Sequence, residues 1–285
     1  MPGEPIETSS YRVDRLGPWP AEAITLRFDG TPFAPPADRA ELIERTWLTE
    51  QAAAARLGRR LFNGKLARVR DVAGAPAEPP TITLEPTDYR AFLVTNLLAP
   101  EHFAPEQRAN ALGLSALLWT RDGGLMLGRR SRHVAYNRQM VHPFGGVAEW
   151  SRIPSARDGD GRWIVEQLEK ELFEEVALDP EDIEEFSALA LVRDLRQFQP
   201  ELIFLARLRL GASALTRNWE RQAGANDEHT ALWRCDATAQ AIAAELTADS
   251  AQFTPVATAA LIALAAIHFG PAAVDALLGP SRPAC

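Results

Sequence analysis

The sequence predicts an α/β protein in two parts, a small α+β unit followed by a larger domain in which strands and helices interleave. Three observations predict it. Short apolar runs with strand character lie at 24–28, 67–72, 81–84, 112–120, 125–128, 186–193, 201–208 and 231–234. Apolar stripes at helical spacing lie at 42–57, 89–98 and 164–176, and two further helices close the chain. Residues 99–108 carry two prolines and several charges, which marks them as the junction. The expected division is 1–105, 106–278 and a frayed end at 279–285.

The elements follow in order. Ile24, Leu26 and Phe28 alternate with polar residues and run into Asp29-Gly30, a strand entering a tight turn. Asp38 is the expected cap of a helix carrying Leu42, Ile43, Trp47 and Leu57, with Gly58 as its stop. Two short strands flank a Pro/Gly/Ala loop, and Thr87 or Asp88 caps a helix over 89–98. Beyond the junction, Asp122-Gly123-Gly124 reads as a hairpin turn between buried strands. The paired Gly145-Gly146, a polar insert and the helix of 164–176 come next, and Asp179-Pro180 ends that helix. Thr254-Pro255 opens the last helix, with threonine as cap and proline suited to the first turn.

Composition limits the function. With 46% hydrophobic and 24% charged residues the chain can bury a core, so disorder is not expected. Thirty basic against 38 acidic residues give a net charge of −8, which argues against a nucleic-acid binder and leaves an anionic substrate in need of metal or clustered arginines. Cys235 and Cys285 are too few for a disulfide framework or a thiolate zinc site, and the five histidines do not cluster at ligand spacing. A reducing cytoplasm is the expected compartment. The start of the chain lacks a basic segment followed by an apolar one, and the longest apolar stretch, 257–269, is too short to span a bilayer, so no membrane association is expected. A monomer or homodimer is expected.

The chemistry concentrates at residues 170–178, Lys-Glu-Leu-Phe-Glu-Glu-Val-Ala-Leu. At ~100° per residue, Glu171, Glu174 and Glu175 share one arc of a helix whose apolar stripe is Ile164, Val165, Leu168, Leu172 and Val176. Like charges this close repel and lose solvation, a cost that cations offset, and oxygen-only ligands suit Mg²⁺ or Mn²⁺ rather than zinc. The competing explanation is a solvated acidic helix face.

Together with Gly145-Gly146, this segment resembles the Nudix box of the Nudix hydrolases, which cleave diphosphates linked to another group. The family pattern is glycine, five residues, glutamate, seven residues, then Arg-Glu-aliphatic-any-Glu-Glu-any-Gly-aliphatic. This chain departs from it in three places. An insertion at 150–161 leaves no glutamate at the first glutamate position, Lys170 stands for arginine, and Ala177 replaces a glycine, where a left-handed conformation would cost roughly 1 kcal/mol. The chain is similar to the two-domain Nudix enzymes that hydrolyse UDP-glucose and UDP-galactose, whose box is also interrupted and lacks its glycine. That similarity extends to residues 87–96, to Arg129-Arg130-Ser131-Arg132-His133-Val134-Ala135, and to Glu228-His229 before a strand. A weaker likeness to the coenzyme A-cleaving Nudix enzymes lies in Leu127-Gly128-Arg129-Arg130-Ser131 and His142-Pro143-Phe144-Gly145-Gly146, with the Phe-Pro order inverted. ADP-ribose is a further alternative substrate.

The resemblance implies that Glu171, Glu174 and Glu175, helped by the Gly146 carbonyl, bind one to three Mg²⁺ ions, and that a nucleotide sugar is the substrate. It implies a Nudix α/β/α sandwich with a mixed sheet behind the small N-terminal unit. Glu228 is the candidate general base or further ligand, and equally a solvent-facing loop residue beside Asp227. Glu201, after Pro200, is a candidate for metal or substrate or an exposed strand end. Arg130, from the basic cluster, suits phosphate through its guanidinium fork, with Ser131 beside it. Tyr89, Phe92 and Asn96 share a helix face, where Tyr89 would stack on a uracil and Asn96 read its edge, while Phe92 suits core packing better. His142 would line the site. A catalytically silent nucleotide-sugar sensor is the reading from outside enzymology.

Overall fold

A computed structural model describes residues 6–134, 136–153, 159–222 and 228–278. The expected end segment 279–285 lies outside the described residues. The strands are β1 (Ile6–Glu7), β2 (Tyr11–Pro20), β3 (Thr25–Phe28), β4 (Lys65–Ala73), β5 (Thr81–Asp88), β6 (Gly113–Trp119), β7 (Gly124–Arg130), β8 (Val141–His142), β9 (Phe144–Val147), β10 (Gly159–Asp160), β11 (Ile183–Asp194), β12 (Pro200–Leu208) and β13 (His229–Asp236). The helices are α1 (Ala40–Arg56), α2 (Tyr89–Phe92), α3 (Arg162–Val176), α4 (Ala212–Gln222), α5 (Ala239–Ala248), α6 (Pro255–His268) and α7 (Pro271–Leu278). Among the described residues, no helix is long and apolar enough to cross a membrane.

The large sheet runs β1-β2-β11-β12-β6-β7-β13, with β8 beside β7 and β9 beside β6. Its central β12–β6 pair is parallel and its other pairs antiparallel, which makes it mixed. The alternation of strand side chains builds two cores from it. Leu114, Ala116, Leu118, Leu202 and Phe204 point to the face covered by Ile164, Leu168, Leu172 and Val176 of α3. Leu117, Leu125, Leu127, Ile203 and Leu205 point to the other face, covered by Ile242 of α5 and by Val256 to Leu264 of α6. The result is a helix–sheet–helix sandwich of the α/β class.

A smaller sheet, β10-β3-β5-β4, packs against the α3 side, and its Leu26, Val69, Ile82 and Leu84 belong to the same core as α3. The two expected units therefore interlock. β1 and β2 of the first form the edge of the large sheet, while β10 of the second completes the small one. Single bridges, Leu66 to Glu149 and Arg68 to Ala111, tie the sheets together.

Local chemistry explains the boundaries. Asp88 Oδ1 accepts the Ala91 N–H at 2.9 Å, and Thr254 Oγ1 accepts that of Ala257 at 3.0 Å, so both expected caps form. Asp38 does not cap α1; it lies in a short 3₁₀ turn before it, and Arg39 takes the cap position without a side-chain bond. After Phe92 the helix of Tyr89 widens into π-helical turns over Leu93–Leu98.

Candidate functional site

The site is built where β9 crosses the outer edge of α3. β9 pairs with β6 so that Gly146 faces Leu114 and Gly145 faces Ser115. Gly145 has φ +147°, and a Cβ there would stand 2.0 Å from the Leu114 carbonyl oxygen, so only glycine fits. A Cβ on Gly146 would lie 3.0 Å from Oε2 of Glu171. The glycine pair thus lets the backbone approach the helix carboxylates, and the Gly145 N–H donates to Glu175 Oε2 at 2.9 Å.

A cavity of about 560 Å³ opens between the two sheets at this crossing. Among the residues expected at the site, Glu171, Glu201, Glu228, Arg130, His142, Tyr89 and Gly146 line it. Four others do not. Glu174 points outward, with a side chain 49% exposed, and pairs with Lys170. Glu175 is buried behind Gly145, with Oε1 3.3 Å from His229 Nε2. Ser131 is buried in its own loop, where its N–H donates to the Glu228 carbonyl at 2.6 Å and its hydroxyl accepts the His133 N–H at 3.0 Å. Asn96 is fully buried; its amide nitrogen donates to the carbonyls of Gln197 and Phe198 at 3.2 and 3.3 Å, and its oxygen accepts the Asn110 N–H. Asn96 therefore does not reach a ligand in the cavity. Phe92 is fully buried core, as its apolar surroundings suggested.

The charges in the cavity are perturbed in ways that fit an anion and a cation together. Burial pushes Glu171 up to about 7; Lys170 opposes this, and Glu175, Glu174 and Glu228 add to it. Burial also pushes Glu201 up to about 7, against a short hydrogen bond from the Ser115 hydroxyl, with Asp194 raising it and Arg130 lowering it. Glu228 is raised by loss of solvent around its carboxyl and then by the charge of Glu175, with Arg130 and His229 opposing. His142 lies well below its usual value because it is buried beside Arg130 and His229, and its ring is neutral. Its Nδ1 stands 2.9 Å from the Thr254 hydroxyl and its Nε2 3.7 Å from Glu201 Oε1.

Arg130 and Lys65 are the cations lining this cavity, and Lys65 already stands 3.8 Å from Asp88. The guanidinium carbon of Arg130 sits 5.3 Å from the Tyr136 ring centre, and its buried Nε has no hydrogen-bond partner. A buried donor without a partner is a costly arrangement that a ligand oxygen would relieve. Arg129 turns away, to the Gln139 carbonyl and the Gln252 side chain, as expected for neighbours on a strand.

The donor set suits a hard divalent ion. Glu171 and Glu228 reach the cavity with Glu175 just behind, and the carboxylates that raise one another's proton affinity would equally favour a metal cation. Among the described residues, no three acidic, histidine or cysteine side chains stand close enough together to hold a metal ion by themselves.

Sequence inspection missed Tyr136, Gln197, Gln199, Lys65 and Glu149, all of which line the cavity. They lie on loops or strand ends that only the crossing of the two sheets brings together, and no spacing in the chain signals it.

No family model and no curated protein matches the chain. Among solved structures, the DR0079 protein of Deinococcus radiodurans is similar at 14% identity and a TM-score of 0.32, over 49% of this chain and 74% of its own. A MutT protein from Methanosarcina mazei Go1 is similar at 17% identity and a TM-score of 0.26, over 43% and 74%. A NUDIX family hydrolase from Clostridium perfringens is similar at 10% identity and a TM-score of 0.30, over 56% and 99%.

Proposed function

We propose that the protein is a Mg²⁺-dependent Nudix-type diphosphatase that hydrolyses UDP-sugars such as UDP-glucose or UDP-galactose to UMP and a sugar 1-phosphate. The observation that carries this reading is the convergence of Glu171, Glu228 and the unpartnered Nε of Arg130 on one cavity beside the Gly145-Gly146 crossing. That combination answers the two needs of a diphosphate, neutralisation and orientation.

A divalent ion held by Glu171 and the Gly146 carbonyl, with the charge of Glu175 behind them, would neutralise the diphosphate and acidify a water molecule. Arg130 binds a phosphate oxygen through its guanidinium fork. Glu228 takes the proton of the attacking water as its oxygen bonds to phosphorus and the anhydride P–O bond breaks. Neutral His142 lends a hydrogen bond without adding positive charge. Tyr89, whose ring lies 6.3 Å from that of Trp47, gives the first part of the chain an aromatic wall in the same cavity, which supports a role of residues 1–105 in nucleotide binding.

The test is hydrolysis of UDP-glucose, ADP-ribose and coenzyme A side by side with Mg²⁺ and with EDTA. UMP from the first alone, lost in EDTA, is expected; cleavage of coenzyme A or ADP-ribose instead would move the substrate and keep the chemistry. The outward turn of Glu174 favours one second reading, a silent nucleotide-sugar sensor. Binding without turnover under any metal, in the parent and in Glu175→Gln alike, would establish it.

A further inference from the structure

We infer that Gln197 and Gln199, on the turn between β11 and β12, form the subsite that reads the edge of the nucleotide base, and that Asn96 and Asp194 position them. This rests on the cavity being a nucleoside diphosphate site.

Both glutamines line the cavity, and Gln199 is only 3% exposed. Its oxygen faces the Tyr136 hydroxyl at 3.5 Å, which leaves its amide nitrogen to the cavity. Among the described residues, neither carboxamide nitrogen has a hydrogen-bond partner. Neither nitrogen is fully enclosed, so a ligand or water in the cavity can accept from it.

The turn is built to hold them there. Gln197 and Gln199 both line the cavity, while the Phe198 ring between them packs under the Arg108 guanidinium. Phe198 takes a left-handed φ of +55°, a conformation a bulky residue adopts only when its surroundings impose it. The Arg108 guanidinium stacks 3.7 Å from the Phe198 ring centre. Buried Asp194 accepts the N–H groups of Arg196 and Gln197 at 2.7 and 3.0 Å, and Asn96 holds the carbonyls of Gln197 and Phe198. Three side chains, Arg108, Asp194 and Asn96, therefore fix one turn.

Two inward N–H donors complement a base edge that carries carbonyl oxygens. A uracil-type pyrimidine offers two such oxygens, whereas adenine presents an amino group there. Tyr89 on the cavity wall supplies apolar surface for the ring.

Calorimetry on the full chain with Mg²⁺ tests this, using UDP, CDP, ADP and inorganic pyrophosphate as ligands. The parent should bind UDP more tightly than ADP by about ten-fold or more, the effect of one good hydrogen bond. Gln197→Ala and Gln199→Ala should each weaken UDP about ten-fold, leave pyrophosphate unchanged and erase the preference, with an unchanged melting temperature. Equal binding of UDP and ADP by the parent would overturn the inference. So would variants that keep the preference, or that lose pyrophosphate as much as UDP. If base-dependent binding holds while no diphosphate is cleaved, the diphosphatase reading falls and the base subsite stands.

Discussion

Replacing Ala177 with glycine should stabilise the protein, against the ranking of these residues inside helices. Ala177 follows the last turn of α3 with φ 50° and ψ 45°, the left-handed region. A Cβ there crowds the following carbonyl and costs roughly 1–2 kcal/mol. Glycine removes that strain but leaves the unfolded chain freer, which returns roughly 0.5–1 kcal/mol. The net gain is about 1 kcal/mol or a little less. Nothing else need change: the Ala177 N–H reaches the Phe173 carbonyl at 3.0 Å and its own carbonyl accepts from Asn218 at 3.2 Å, and both bonds belong to the backbone of residue 177. For a chain of this size the gain should raise the melting temperature by about 2 °C, with an unchanged urea m-value. The carboxylates on α3 lie upstream of the substitution, so kcat should hold. A melting temperature equal to or below that of the parent would show that the left-handed end stores no strain.

Glu171→Gln removes the carboxylate that faces the cavity and should lower kcat by about 100-fold or more, while far-ultraviolet circular dichroism stays the same. Gly146→Ala places a Cβ 3.0 Å from the Glu171 carboxylate and should lower kcat more than about ten-fold while the protein still folds; unaltered kcat would remove the crossing from the mechanism. Glu201 binds its proton more tightly folded, at about 7, than unfolded, at an ordinary 4.5, so its contribution is fully present below 4.5 and is lost as pH rises toward 7. At about 1.4 kcal/mol per pH unit this amounts to about 3 kcal/mol, and Glu201→Gln should melt higher than the parent at pH 8 with little difference at pH 4. Equal melting at both would refute the buried, proton-binding carboxyl.

Most of the layer order was legible because periodicity reports burial directly. The strand expected at 112–120 forms as Gly113–Trp119, and the helix expected at 164–176 forms as Arg162–Val176. β2 was not legible. Tyr11 and Val13 are buried, but Arg12, Asp14, Arg15 and two prolines interrupt the pattern, and its partner β11 lies far along the chain. Its register comes from pairing, which local propensity does not encode. α4 was missed for a related reason: it buries only Ala212 and Leu215, too few to make a readable stripe.

At the site, residue types were legible and directions were not. Helical geometry puts Glu171, Glu174 and Glu175 in one arc, but which of them meets the cavity depends on where β9 crosses. The crossing gives Glu175 to the Gly145 amide, sets Glu171 against Gly146 and leaves Glu174 to Lys170. Asn96 fails for a sharper reason. Seven residues after Tyr89, it would share a face with it on a regular α-helix of 3.6 residues per turn. From Leu93 the turn widens, with the Ala99 N–H reaching back five residues to the Val94 carbonyl at 3.0 Å. Each widened turn rotates the later side chains away from the α-helical register. Tyr89 stays on the cavity wall, while Asn96 swings to the β11–β12 turn and holds its carbonyls. The same residue that a regular helix would have aimed at a ligand thus becomes a support for the glutamines that face it.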